Sequence, residues 1–399
     1  MPSPTARLER IRLLKFGKHA SATDVTTDAA TSYFLDARNG FQITTDQQRV
    51  ERPLIQSDNY NYLSVNGVKE SGLAYDLELR GINGGAGNGT SSAYATKTQL
   101  GSILDVVCGT NGSDGTGDNL GTQTATNLVT AGGAGTMVAP VGNALLARGA
   151  TSGVYQAREV ITSADPDFTV ARPFLQADST PEQAEDGSEC FASASWYLNA
   201  ANANHIHGWH EVEGDSFTRK FFGGMTSMGF TFEAGGLCMA NMDWSCTNWT
   251  DAGNGGTLTY AAQPAGFPVV GKEILFCIGS TRYDLISATI DLGLESTPKT
   301  ALDAPNALSG YKCIKFDPKI TCQFYYNEAL HAALQAANTS QDISLQAGVT
   351  AGSAALFRMP NADPREVKHS TTDGIETIDV TFHATIPSAG DGSLRIHLF

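Results

Sequence analysis

Positive charge, long apolar runs, paired cysteines and helix-forming stretches are all scarce in these 399 residues. Lys and Arg number 26 against 41 Asp and Glu, a formal net charge of −15. Proteins that grip nucleic acid neutralise its phosphates with clustered cations, so this balance argues against that class. An acidic surface can still face nucleic acid when its task is to let the polymer pass. No run approaches the ~18 apolar residues of a membrane-spanning helix, and Met1, Pro2, Ser3 and Pro4 open a segment without the apolar centre of a signal peptide. The expectation is a protein with no membrane partner that stays in the cytoplasm of its producer cell.

The seven cysteines (108, 190, 238, 246, 277, 313 and 322) are odd in number, form no CxxC pair and follow no metal-ligand rhythm. They read as reduced core thiols. There is no GxSxG elbow, no HExxH helix and no Cys/His arrangement with a catalytic signature. The glycine-rich stretch 81–90 lacks the Gly-Lys-Ser/Thr ending of a phosphate loop. Glu185 and Asp186 lie in a polar run that reads as a solvated loop. The sharpest constellation is His205, His207 and His210 with Glu211. On a strand, His205 and His207 would point the same way, as two zinc ligands do, with His210 or Glu211 as the third. Without a distant Cys or His partner motif, the favoured reading is a polar loop of surface histidines. No catalytic, metal or cofactor site is expected, and the chain is not read as an enzyme.

The sequence is rich in turns and alternation. Forty-two glycines with abundant Thr, Ser and Asn indicate strands and turns, and hydrophobic content of 41% suits a large core. Residues 320–326 alternate, with Ile320, Cys322, Phe324 and Tyr326 on one face. Asn327 and Glu328 then open a short amphipathic helix through Leu330, Ala333, Leu334 and Ala337. Strands follow at residues 342–346, 375–386 and 394–399. A looser copy of this order stands earlier: Leu73, Tyr75, Leu77 and Leu79 alternate with Ala74, Asp76, Glu78 and Arg80, and a helix follows through Leu100, Ile103, Leu104 and Val107. Thr96 and Gln99 form a possible capping box for it. Asn39 and Gly40 signal a hairpin between strands near residues 33–35 and 41–45. Residues 110–135 read as a long loop insertion. Further strands are predicted at 151–161, 190–199, 217–233, 237–244, 274–278 and 286–292.

At about 150 residues per domain, the length suits two or three domains or one elaborated one. The expected division is an N-terminal arm over residues 1–20, a first β unit over 21–250 with the loop insertion, and a second over 267–399. The arm carries Arg7, Arg10, Arg12, Lys15 and Lys18 against one acid, Glu9, and is expected to reach an acidic neighbour.

Four segments carry a family resemblance: FTRKFFGGMTSMGFTFEAGGL over 217–237, DLISATIDLGLE over 284–295, GYKCIKFDPKITCQFYYNEALHAALQAAN over 310–338 and REVKHSTTDGIETIDVTFHATI over 365–386. In element order and texture the chain from about residue 71 resembles the major tail tube proteins of long-tailed bacteriophages. That resemblance implies a mainly β fold, a tail-tube-type β-sandwich/barrel with short flanking helices. It also implies rings stacked into a tube in the virion, through which DNA passes, and partners among the tape measure, tail terminator and tail-tip proteins, with assembly in the host cytoplasm. A one-domain subunit of this kind is commonly about half as long, so two tube-like units per chain are expected. The ring would then be a homotrimer with pseudo-sixfold symmetry, the alternative being a homohexamer. Leu77 and Leu79, with Ile320 and Phe324, are expected on inner-sheet strands that pair across subunits. Asp76 and Glu78 are candidates for the lumen wall, and the five basic residues of the arm for contact between rings. The alternative function is a tail-tip or fibre-like host-binding module using His205–His210, Trp244 and Trp249, without the stalk repeat such proteins show.

Overall fold

The structure is a computed structural model that describes residues 11–19, 32–35, 37, 41–50, 65–81, 99–108, 113–114, 118–119, 123–124, 126–129, 141–164, 167–198, 205–214, 217–252, 268–302, 307–337, 339–350, 352–385 and 392–399. It is mainly β, with large antiparallel sheets. No helix among the described residues is long and apolar enough to cross a membrane.

Alternating stretches become strands because only a pleated ribbon puts every second residue on one side. Their order in space is not their order in sequence. One run of eight antiparallel strands follows the order Gln42–Val50, Val65–Glu78, Met239–Cys246, Thr218–Glu233, Leu285–Asp291, Lys319–Tyr325, Ile375–Ala384 and the distal part of Ala355–Thr372. A second layer runs Thr281–Tyr283, Ile274–Ile278, Gln341–Ala347, the proximal part of Ala355–Thr372, Arg395–Leu398 and Ala194–Tyr197. The 18-residue Ala355–Thr372 strand belongs to both and carries the chain around the corner. The layers face each other through aromatic rings. Phe357 meets Phe230 at 4.7 Å and Phe232 at 5.5 Å, while Phe276 meets Phe324 at 5.4 Å. One continuous core contains Leu77, Leu79, Ile320 and Phe324 together. Strands of the two expected units thus share one sheet and one core.

Helix α2, Glu328–Gln335, is capped as its sequence predicts: Leu330 N–H donates to Asn327 Oδ1 at 3.1 Å, and Leu330 and Leu334 are buried. Helix α1, Gln99–Cys108, is not a flanking element. Residues 100–108 are all buried, between Ala194–Tyr197, Thr218–Glu233 and the N-terminal strands. A helix enclosed all round must satisfy its polar groups internally. Asp105 does so by accepting from Trp196 Nε1 at 2.8 Å and Lys18 Nζ at 2.7 Å.

That contact corrects the expected arm. Residues 1–10, with Arg7 and Arg10, lie outside the described residues, but Ile11–Lys18 is a strand between Ser32–Leu35 and Gly208–Gly214. It contributes Leu14 and Phe16 to the core. Lys15 reaches Glu211 and Glu213, each at 2.6 Å. Lys15 and Lys18 therefore bond within their own chain, because an intramolecular carboxylate is always at hand while a neighbour must be recruited. Arg12 falls within this strand. The Asn39–Gly40 hairpin is also corrected. Ser32–Leu35 pairs with Ile11–Lys18 and Gln42–Val50 with Val65–Glu78, so the two flanking strands go to different partners.

Residues 141–192 form a six-stranded sheet together with Asp118–Asn119 and Asn127–Val129, so the segment read as a long loop supplies two of its strands; its own core holds Leu145, Val160, Phe168, Phe174 and Cys190. It meets the second layer through Leu146, Ala157, Phe191, Leu356 and Phe399. Beneath that contact runs a chain of charges. Arg172 pairs with Asp342 at 2.6 Å, Asp342 with Arg358 at 2.9 Å, and Glu159 with both Arg358 and Arg395.

Candidate functional site

The feature with no role in holding the core is the outer face of the eight-stranded run. Leu73, Tyr75, Leu77 and Leu79 are buried, so Ala74, Asp76 and Glu78 face the other way. Register extends this parity across the sheet. Asp76 stands opposite Asn241, Thr231 opposite Thr289, Thr289 opposite Thr321, and Thr321 opposite Thr381. Polar side chains are tied into crosswise ladders. Asn241 Nδ2 donates to Asp76 at 2.8 Å and Thr231 Oγ1 to Asn241 at 2.9 Å; Gln323 Nε2 and Ser370 Oγ donate to Asp379 at 2.9 and 2.6 Å. Such pairs hold side chains flat against the sheet.

The face is acidic. Asp46, Glu70, Asp76, Glu78, Asp243, Glu233, Asp291, Glu366 and Asp379 share its parity. Three of its described cations are each answered by a carboxylate: Arg80 by Glu78 at 2.7 Å, Lys368 by Glu366 at 2.9 Å and Lys319 by Asp317 at 3.8 Å. Asp76 and Glu78 lie together in this face.

Leu77, Leu79, Ile320 and Phe324 lie in the core beneath it. The strands Val65–Glu78 and Lys319–Tyr325 each have partners on both sides within the chain. The sites open to a strand from another copy are therefore the run's two ends. Among the described residues, Gln42–Val50 pairs only with Val65–Glu78, and the distal part of Ala355–Thr372 beyond Asp363 pairs only with Ile375–Ala384. Both ends carry charged residues, including Asp46 at one and Arg365, Glu366 and Lys368 at the other, which discourages unspecific pairing.

The histidines are not surface residues of a polar loop. His205, His207 and His210 are 4%, 4% and 0% exposed. They diverge: His205 lies against the Phe316 ring at 5.3 Å, His207 Nε2 lies 3.0 Å from the Tyr311 backbone N and O, and His210 Nε2 is 3.0 Å from the Tyr75 hydroxyl. An imidazole with one polar partner packs as an aromatic ring, which local sequence does not reveal. Among the described residues, no three His, Cys, Asp or Glu side chains are placed to hold a metal. Another buried histidine, His397, accepts or donates through Nδ1 to Ser195 Oγ at 2.8 Å, and Ser193 Oγ lies 2.7 Å beyond. All three side chains are 0% exposed.

Burial lowers the pKa of His210 to about 3, and burial with Arg395 and Arg358 nearby lowers that of His397 to about 3. Above the ordinary value near 6.5, both folded and unfolded states hold these rings neutral. Below it, only the unfolded chain takes up the protons, so stability falls as pH drops from about 6.5 toward 3. Each ring adds up to about 1.4 kcal/mol per pH unit to that slope. Replacing His210 with Phe is expected to flatten the pH dependence of the unfolding free energy over this window. An unchanged slope would assign the acid lability to other groups.

No family model matches this chain, and no curated protein matches it in sequence.

Proposed function

We propose that this protein is the structural subunit of a bacteriophage tail tube, forming rings that stack in the virion into a conduit for the genome. The observation that carries this reading is the acidic, ladder-tied outer face on an even number of antiparallel strands with two open ends. In an eight-strand antiparallel run the first and last strands point in opposite directions. Copies joined end to end therefore continue the antiparallel order and can close into a barrel without edges. A wall with carboxylates in excess and its cations Arg80, Lys368 and Lys319 paired offers passing phosphates little to bind, so counterion release adds little affinity to hold the DNA.

Strand order supports two tube-like units per chain. Val65–Glu78 is the second strand of a hairpin and precedes α1, and Lys319–Tyr325 is the second strand of another and precedes α2. Four strands per unit would let three chains fill six positions around a ring. The tape measure, tail terminator and tail-tip proteins are the partners this reading implies. The host-binding alternative has less to build on, because Trp209 and Trp244 are buried with the histidines and Trp249 is covered by Arg219 at 4.8 Å.

Negative-stain microscopy and native mass spectrometry of the concentrated protein test the proposal. Closed rings of three chains are expected. Rings of six would overturn the trimer, and dispersed monomers would overturn the tube.

A further inference from the structure

Seven large apolar side chains are exposed among the described residues: Val141, Ile161, Leu302, Ile314, Tyr325, Tyr326 and Ile375. Five of them gather at the two opposite ends of one strand pair. The Leu285–Asp291 strand continues past Gly293 into Leu294–Thr300, and Leu308–Phe316 returns past Pro318 into Lys319–Tyr325. Leu302 and Ile314 belong to the hairpin at one end. Tyr325 and Tyr326 leave the strand at the other, where Ile375 begins the neighbouring strand opposite Thr372.

One face of the hairpin is packed down, from Leu294 and Phe316 at its base to Leu308 near its tip, and the other face is bare. Leu294 and Cys313 are buried against Met225, with Phe316 beside them. On the bare face Ile314 is 61% exposed, and Leu302 beyond the strand is fully so. Among its described residues the exposed charges are Lys299, Lys312 and Lys315 against Glu295, which pairs with Lys315 at 3.4 Å and leaves Lys299 and Lys312 in excess. The far end has the opposite sign. Glu328 opens α2 there, Asp373 forms the turn with Gly374, and Glu376 is exposed beside His369. Tyr326 packs against His369, the two tilted rings 4.8 Å apart.

We infer that the basic, apolar Leu294–Phe316 hairpin of one copy docks on the acidic, aromatic end of a second copy, around Tyr325, Tyr326 and Ile375. This rests on the self-assembly reading and adds to it the surface that joins one layer to the next. Charge selects the geometry. Two hairpins would repel each other, as would two acidic ends, so neither patch pairs with itself and the contact is head to tail. A heterologous contact that does not close propagates as an open stack. The same chemistry makes stacking weaken as salt rises, while the apolar centre keeps it from vanishing. It gives the inter-layer role to this hairpin and not to Lys15 and Lys18, whose charges are used internally.

The test is a charge swap in the full-length chain. One variant carries Lys299→Glu with Lys312→Glu, and the other carries Glu328→Lys with Glu376→Lys. All four positions are exposed, and thermal melting checks that each variant folds. Alone, each variant is expected to lose stacked polymer by about tenfold or more in sedimentation, because its two ends now repel. Mixed in equal amounts, they should polymerise again in alternation, since each reversed end meets a complementary one. Stacking by either variant alone at the wild-type level would overturn the inference, as would folded variants whose mixture stays dispersed. Rescue by mixing without closed rings in native mass spectrometry would uphold the head-to-tail contact while removing the ring.

Discussion

Replacing Glu159 with Ala is expected to destabilise the protein by about 3–5 kcal/mol, the cost of leaving a buried partner charge uncompensated. Glu159 is 3% exposed and lies between two guanidinium groups. Arg395 Nη1 is paired with its Oε1, and Arg358 Nη1 lies 2.6 Å from its Oε2, close but out of line for a hydrogen bond. Arg358 keeps Asp342 as a second partner, but Arg395 has no other carboxylate among its described ion pairs. The loss should fall on the seam between the six-stranded sheet and the second layer, because Glu159 is on that sheet and both arginines are on the layer. Hydrogen exchange should therefore accelerate first in residues 141–192, before the eight-stranded run opens. Chemical denaturation gives the magnitude, with Glu366→Ala on the solvent-exposed Lys368 pair as a control that leaves the midpoint unchanged. A Glu159→Ala protein with the parental midpoint and exchange pattern would show that the seam is held by its apolar contacts alone.

The second large effect is expected at Phe324. Its strand lies between Leu285–Asp291 and Ile375–Ala384, and its ring sits against Phe276 at 5.4 Å and Tyr283 at 6.2 Å. Phe324→Ala removes the ring and leaves a cavity, at a cost of about 3–5 kcal/mol. Phe324→Pro adds a clash and deletes a ladder donor in a strand paired on both sides, where proline is essentially never found. The alanine protein should fold with a lowered midpoint. The proline protein should yield no folded subunit, seen as loss of the cooperative transition in circular dichroism. A proline variant that melts like its parent would mean that this strand is not interior to the sheet.

Both predictions use knowledge of different origin. The burial of Phe324 is legible in the alternation of residues 320–326, and so is that of Leu73, Tyr75, Leu77 and Leu79. The cap at Asn327, the strand at Ile274–Ile278 and the turn at Gly235 are local too, because propensity and period act within a few residues. The charge chain through Glu159 is not legible. Its members Arg172, Asp342, Arg358 and Arg395 are scattered over more than half the sequence.

The polar face occupies a middle ground. Alternation predicts that Asp76 and Glu78 face away from Leu77, but not that Asn241, Thr231 and Thr321 stand in the same wall. That requires strand partners, and a strand carries little information about which distant strand it will join. The same gap explains the misread hairpin at Asn39–Gly40, whose flanking strands found other partners, and the histidines, whose polarity is met by Tyr75 and the Tyr311 backbone. By itself the sequence determined a mainly β chain, its strand faces and its acidic charge, because period and composition are properties of neighbouring residues. Only the tertiary structure decided the order of the eight strands, the enclosure of α1, the use of Lys15 and Lys18 within the chain and the opposition of a basic hairpin to an acidic end. Each of these depends on contacts between residues far apart in the chain, and such contacts are selected by whole-surface complementarity and not by local preference.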